Sequence, residues 1–362
     1  MGVLMPKRLV VCCDGTWNTP DELNRGKSAP TNVTKLALAV SSRDAAGVEQ
    51  RMFYHPGVGT KRSERIRGGA FGLGLSRDVR DVYRFLVANF EPGAEIFFFG
   101  FSRGAFTARS AAGFVRNSGI LRPEHADRVE DAYALYRKRE AHPRGIEARL
   151  FRRSYSYETR IRFIGVWDTV GALGIPLSGL RFVNFLNRGT QFHDTDLSTT
   201  VDAAFQALAI DEKRQPFRPA VWNLQPSATR QEVEQVWFAG VHCDVGGGYA
   251  DHSLADIPLL WMAGKASAHG LAVDEDVLRA GPFAGQKASS SGEPKPNPLG
   301  EQHESRTGFY RVLRPYIRPI DPEVAKCEWA SSSAITRHTE NAEYAPSNLV
   351  EYLGGDHRVM DV

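Results

Sequence analysis

The chain alternates short apolar runs with longer stretches whose apolar residues recur at helical spacing. Leu9–Cys13, Arg51–His55, Ile96–Phe99, Arg160–Val166 and Val233–Ala239 read as strands. Asp78–Phe90 puts Val79, Val82, Leu86 and Phe90 on one helical face and is stopped by Pro92-Gly93. Thr31 is placed to cap a helix whose Val33, Leu36, Leu38 and Val40 are mostly buried. Val201–Ile210 and Leu254–Ala266 also read as helices. Lys61–Leu75, rich in Gly and Arg, reads as a mobile loop, and Pro282–Gly300 as a flexible loop or linker. Gly171–Arg188 is apolar but broken by Gly and Pro, which suits a packed crossover or a flap. Val233–Ala239 is the last clear strand, and periodicity is weak after Gly300, to Val362.

Strands alternating with helices predict an α/β fold: a mainly parallel sheet with helices on both faces, forming a single domain over residues 1–362. Right-handed crossovers bring the C-terminal ends of such strands to one edge. Asp14, Ser102, Asp168, and His242 with Asp244, all stand just past strand ends and converge there.

Composition narrows the function little. Of 362 residues, 42% are apolar and 24% charged, ordinary for a globular chain, and a net charge of +3 argues against a nucleic-acid partner. Arg149, Arg152 and Arg153 read as a solvated helix face, with contact to an anionic lipid surface as the sharper alternative. Four cysteines, with Cys12 and Cys13 pointing to opposite faces of one strand, suggest neither a disulfide framework nor zinc spacing. No apolar run approaches a membrane span, and MGVLMPKRLVV lacks the layout of a signal peptide. The expectation is a cytoplasmic protein in the producing cell, exported only if a specialised secretion system carries it.

The chemistry centres on Gly100-Phe101-Ser102-Arg103-Gly104, a G-x-S-x-G between a strand and a helix rich in small residues. That context makes the motif a nucleophile elbow. A serine hydroxyl needs a base and an acid that orients the base. The chain supplies Asp168 and then His242, in the order Ser, acid, His. Asp244 competes for the acid role, and His303 and His338 are lower-ranked bases because neither follows a recognisable strand. The oxyanion donors expected are the N–H of Arg103, at the helix start, and one from the loop of Asp14, Gly15 and Thr16. This chemistry needs no metal or other cofactor. A rival reading takes Asp14, Asp168 and Asp244 as magnesium ligands of a phosphatase-like enzyme, although Thr16 stands where such a motif has its second acid. A non-catalytic binding module with the same fold is the third reading.

The words CCDGTWN, FYHPGVGT, GFSRGAFTAR, GVWDTVGALGIP, ALAIDEKRQPF and VWFAGVHCDVGGGY together resemble one family over about residues 7–265. It is the bacterial α/β-hydrolase-like group that includes the catalytic domain of type VI secretion lipase effectors. The resemblance implies an α/β-hydrolase fold, phospholipase A activity on membrane lipids, and a triad falling on Ser102, Asp168 and His242. It also implies a lipid or other ester as substrate, with peripheral membrane contact. Phe205-Gln206 departs from the family, which more often has histidine there, and puts a supporting contact of the triad in question.

Overall fold

The computed structural model describes residues 7–15, 23–24, 26–57, 71–138, 142–171, 197–280, 295–321 and 327–362. Eight strands form the central sheet: β1 (Arg8–Cys13), β2 (Gln50–His55), β3 (Glu95–Phe101), β4 (Ile161–Trp167), β5 (Val201–Ala209), β6 (Glu232–Phe238), β7 (Glu328–Ser331) and β8 (Val359–Met360). Their spatial order is β2-β1-β3-β4-β5-β6-β7-β8, and every neighbouring pair is parallel. The order reverses direction at β1, so the ends of β1 and β3 flank a switch point, where α/β folds open a crevice. This is an α/β-hydrolase-like architecture.

Alternation along each strand sorts side chains to two faces. Leu9, Val11, Cys13, Ile96 and Phe98 face α2 (Phe71–Asn89) and α3 (Arg103–Ser118). Val10, Cys12, Phe97 and Phe99 face α1 (Asn32–Ala39) and α7 (Ser253–Ala268). The adjacent cysteines therefore lie in different cores. Ala105, Ala108, Ala111 and Ala112 bring α3 close against the sheet. Thr31 caps α1, its side chain accepting the Thr34 N–H at 3.1 Å, and Val33 and Leu36 are buried, but Leu38, on the opposite face of the helix, is exposed. Between α3 and β4 the chain forms α4 (Val129–Arg137) and α5 (Ile146–Tyr155). The short α6 (His242–Gly246) follows β6, and α8 (Glu275–Ala280) follows α7.

Several expectations are corrected. Val201–Ile210 is not a helix: Val201–Ala209 is β5, between β4 and β6. Its alanines favour a helix locally, but nearly every side chain is buried, and a strand covered on both faces has no polar side to give it a period. Phe71–Leu75 belongs to α2 rather than to a loop. Val233–Ala239 is not the last strand, since β7 and β8 extend the sheet, with α9 (Ser332–Glu340) and α10 (Ser347–Gly354) packed around Trp237 and Leu208. Residues 295–300 pack on the start of α7, where the Lys295 N–H donates to Asp256 Oδ2 at 2.7 Å. Residues 172–188, 61–70 and 282–294 of the proposed flap, loop and linker lie outside the described residues.

Candidate active site

Ser102 sits between β3 and α3 with φ +58° and ψ −119°, a backbone conformation costly for a residue bearing a Cβ. The turn explains both glycines of the motif. A Cβ on Gly100 would lie 2.6 Å from Ala105 Cα, and one on Gly104 would lie 2.1 Å from the Cys13 carbonyl oxygen. The second contact also shows how tightly the end of β1 abuts the elbow.

Asp168, at the end of β4, is the other non-glycine residue with positive φ among the described residues, at +39°. His242 begins α6, beyond β6. The structure brings these three ends together: His242 Nε2 lies 2.8 Å from Ser102 Oγ, and His242 Nδ1 lies 2.5 Å from Asp168 Oδ2. All three residues are buried. With Nδ1–H donated to the carboxylate, Nε2 is left to accept the serine proton. The imidazole is packed by the rings of Phe101, 4.6 Å away, and Phe217, 5.0 Å away. Burial pushes its pKa below the usual histidine value, and the bond to Asp168 pulls partly the other way.

Asp168 has a partner that the sequence did not indicate. Arg318 is fully buried and grips the carboxylate with two nitrogens: Nη1 donates to Oδ1 at 2.6 Å and Nη2 to Oδ2 at 3.0 Å. The same guanidinium donates to the carbonyls of Ala209 and Phe217. The Ala209 N–H adds a bond to Asp168 Oδ1 at 3.0 Å. Burial would raise the carboxyl pKa, but Arg318 and His242 outweigh it and hold Asp168 well below the ordinary carboxylate range. Glu212 is a second unexpected neighbour. It forks onto Arg214 with two 2.8 Å bonds and accepts the His242 N–H at 3.3 Å. It stands just past β5, so reading that strand as a helix hid it. Arg318 carries no local signal, because no recognisable element surrounds it.

The other candidates separate. Asp244 does not face the His242 ring; it pairs with His303 Nδ1 at 2.7 Å and accepts the N–H groups of Val241 and His303. His303 stacks on Tyr249, and His338 Nδ1 meets the Tyr344 carbonyl. Neither contacts the serine. Asp14 is buried, with Oδ2 accepting hydroxyls from Thr31 (2.7 Å), Thr34 (2.9 Å) and Tyr54 (2.7 Å). The Gly15 N–H donates to Asp14 Oδ1 at 2.6 Å. Burial raises the Asp14 pKa against those bonds. Thr16 lies outside the described residues. Arg103 occupies the first position of α3, at the positive end of the helix dipole. Burial lowers the pKa of its side chain to about 10. Gln206 accepts from Arg109 Nη1 at 3.1 Å and from Thr169 Oγ1, next to Asp168, at 2.9 Å.

The phosphatase-like arrangement has no counterpart in this geometry. Asp14, Asp168 and Asp244 are each turned to different partners, and among the described residues no three His, Cys, Asp or Glu side chains cluster as metal ligands. Nor is any helix among the described residues long and apolar enough to cross a membrane.

Among known proteins, the uncharacterized protein YEL023C of Saccharomyces cerevisiae is 29% identical over 244 residues, which is 61% of this chain and 33% of the yeast protein. The crystal structure of an uncharacterized protein from Pseudomonas aeruginosa is 18% identical, with TM-score 0.46 over 74% of this chain and 46% of that one. The thermophilic esterase Est2 of Thermogutta terrifontis is 14% identical, with TM-score 0.36 over 72% of this chain and 81% of the esterase. The chain thus spans a third of the yeast relative and under half of the Pseudomonas protein. One family profile matches residues 7–265, most of the chain, and the chain belongs to that family, described as T6SS, Phospholipase effector Tle1-like, catalytic domain.

Proposed function

We propose that the protein hydrolyses carboxylic esters of lipids, most specifically an acyl ester of a phospholipid, through a covalent acyl-enzyme. The observation that carries this reading is the hydrogen-bond chain from Ser102 through His242 to Asp168, at 2.8 and 2.5 Å, on a strained turn. Family membership supports the choice of a phospholipid.

In this mechanism His242 Nε2 takes the Ser102 proton while Oγ attacks the ester carbonyl carbon. The carbonyl electrons move to the oxygen, and the tetrahedral oxyanion is met by the Arg103 N–H at the positive end of α3. The second donor is assigned to the loop after β1, where either the Gly15 N–H turns from Asp14 or Thr16 supplies it. Collapse breaks the bond to the alcohol, which leaves with the proton from His242. Water, deprotonated by the same imidazole, then releases the fatty acid and restores Ser102. Asp168 holds the Nδ1–H tautomer and stabilises the imidazolium.

The test is labelling and loss of function together. A fluorophosphonate should label Ser102, and Ser102→Ala should lower hydrolysis of phospholipid and of soluble nitrophenyl esters by roughly 10⁴-fold or more while the fold persists. A chelator should leave the rate unchanged. Full activity in Ser102→Ala would remove the nucleophile assignment.

A further inference from the structure

The stretch 305–320, SRTGFYRVLRPYIRPI, holds four arginines and no acid. Arg318 turns inward to Asp168, and the rest of the stretch meets the 213–217 loop, whose Phe217 lies against His242. The Tyr316 N–H donates to the Lys213 carbonyl at 2.8 Å. The ring of Tyr310 lies 6.5 Å from that of Phe217, which itself packs on His242. Arg306 donates to the carbonyls of Arg311 and Leu313 and holds the turn together. What the turn presents to solvent is apolar and cationic together. Val312 is 79% exposed and Ile317 45%, and Arg311 and Arg314, both exposed, make no ion pair among the described residues. Exposed apolar side chains beside arginines that make no ion pair among the described residues signal an interaction surface for a negatively charged partner.

We propose that Arg311, Val312, Arg314 and Ile317 form a docking surface for a bilayer rich in anionic phospholipid, which seats the mouth of the Ser102 site on the membrane. The arginines meet headgroup phosphates while Val312 and Ile317 enter the headgroup boundary. The proposal rests on the lipid-ester reading and adds where the lipid surface is met. Position decides against the other basic, apolar patch. On α5, Ile146 is 76% and Leu150 59% exposed beside Arg149 and Arg153. Arg152 of that helix bonds the Asn117 carbonyl, near the end of α3 remote from Ser102. Sixteen helical residues, about 24 Å, separate that patch from the elbow, so docking there would point the triad away from the bilayer.

The test uses the full chain as Ser102→Ala, so that vesicles survive, floated with phosphatidylcholine vesicles with or without about 30% phosphatidylglycerol. Binding should need the anionic lipid and weaken with salt. Arg311→Gln with Arg314→Gln should weaken it roughly 25-fold, from about fivefold per arginine. Val312→Ser with Ile317→Ser should also weaken it, whereas Arg149→Gln with Arg153→Gln should leave it within about twofold. With Ser102 intact, the Arg311/Arg314 pair of changes should cut hydrolysis of vesicle lipid but not of a soluble, monomeric ester. Undiminished binding by that double variant overturns the proposal, as does loss of binding in the α5 variant instead. Dimerisation without vesicles that the same changes abolish would assign the face to a second copy and also overturn it. Vesicle binding with the expected dependences but no hydrolysis of any ester would leave the docking surface standing and remove the hydrolase reading.

Discussion

Replacing Arg318 by methionine keeps most of the side chain's bulk and deletes its charge. Both partners of the Arg318–Asp168 pair are fully buried, so the deletion strands a carboxylate with only the His242 and Ala209 donors. Removing one member of a buried pair costs about 3–5 kcal/mol, most of it the uncompensated charge left behind. That is a large share of a total stability of about 5–15 kcal/mol, and for a chain of 362 residues should lower the melting temperature by about 4–7 °C. The loss has a pH signature. Asp168 has a depressed native pKa, so its contribution is present above its unfolded pKa of about 4 and vanishes as pH falls through the native value. The stability gap between parent and Arg318→Met should therefore be widest from about pH 5 to 8 and should narrow progressively as pH falls below about 4 toward the depressed native value. Ester hydrolysis should fall roughly 10–100-fold, as the support of a reacting group's partner usually contributes. Its acid limb should move to higher pH, because an uncompensated Asp168 favours imidazolium at His242. Arg318→Lys returns a charge without the two-pronged geometry and should recover stability only in part. Thermal melts across pH, with rates on a soluble ester, provide the measurement. A melting temperature within a degree or two of the parent at pH 7, with an unshifted rate profile, would refute the role given to Arg318.

Two further outcomes follow from the site. Asp168→Asn should lower kcat by roughly 10⁴-fold, because the amide favours the wrong imidazole tautomer, while Asp244→Asn, whose carboxylate faces His303, should lower it by no more than about tenfold; equal losses in steady-state rates would undo the assignment of the acid. In the proposed mechanism the neutral form of His242 is the reactive one, and burial depresses its pKa, so kcat/KM should rise with pH through a midpoint below the ordinary histidine value of 6.5. A midpoint above about 7 would contradict the buried, neutral imidazole.

Ser102, Gly100 and Gly104 were legible because an elbow is a local device: the chain must turn within five residues, and steric limits select glycine on both sides. The meeting of Ser102, Asp168 and His242 was legible for a related reason, since parallel crossovers deliver every strand's C-terminal end to one edge. Tertiary structure decided what depends on distant partners. Val201–Ala209 has helix-favouring alanines, and only its place between two strands makes it β5. Asp244 and Asp168 look alike along the chain, and the fold turns one to His303 and the other to His242. Arg318 stands 150 residues from the carboxylate it grips. A buried charge is held there by the field of groups brought in from across the fold, and no local pattern of residues encodes that field.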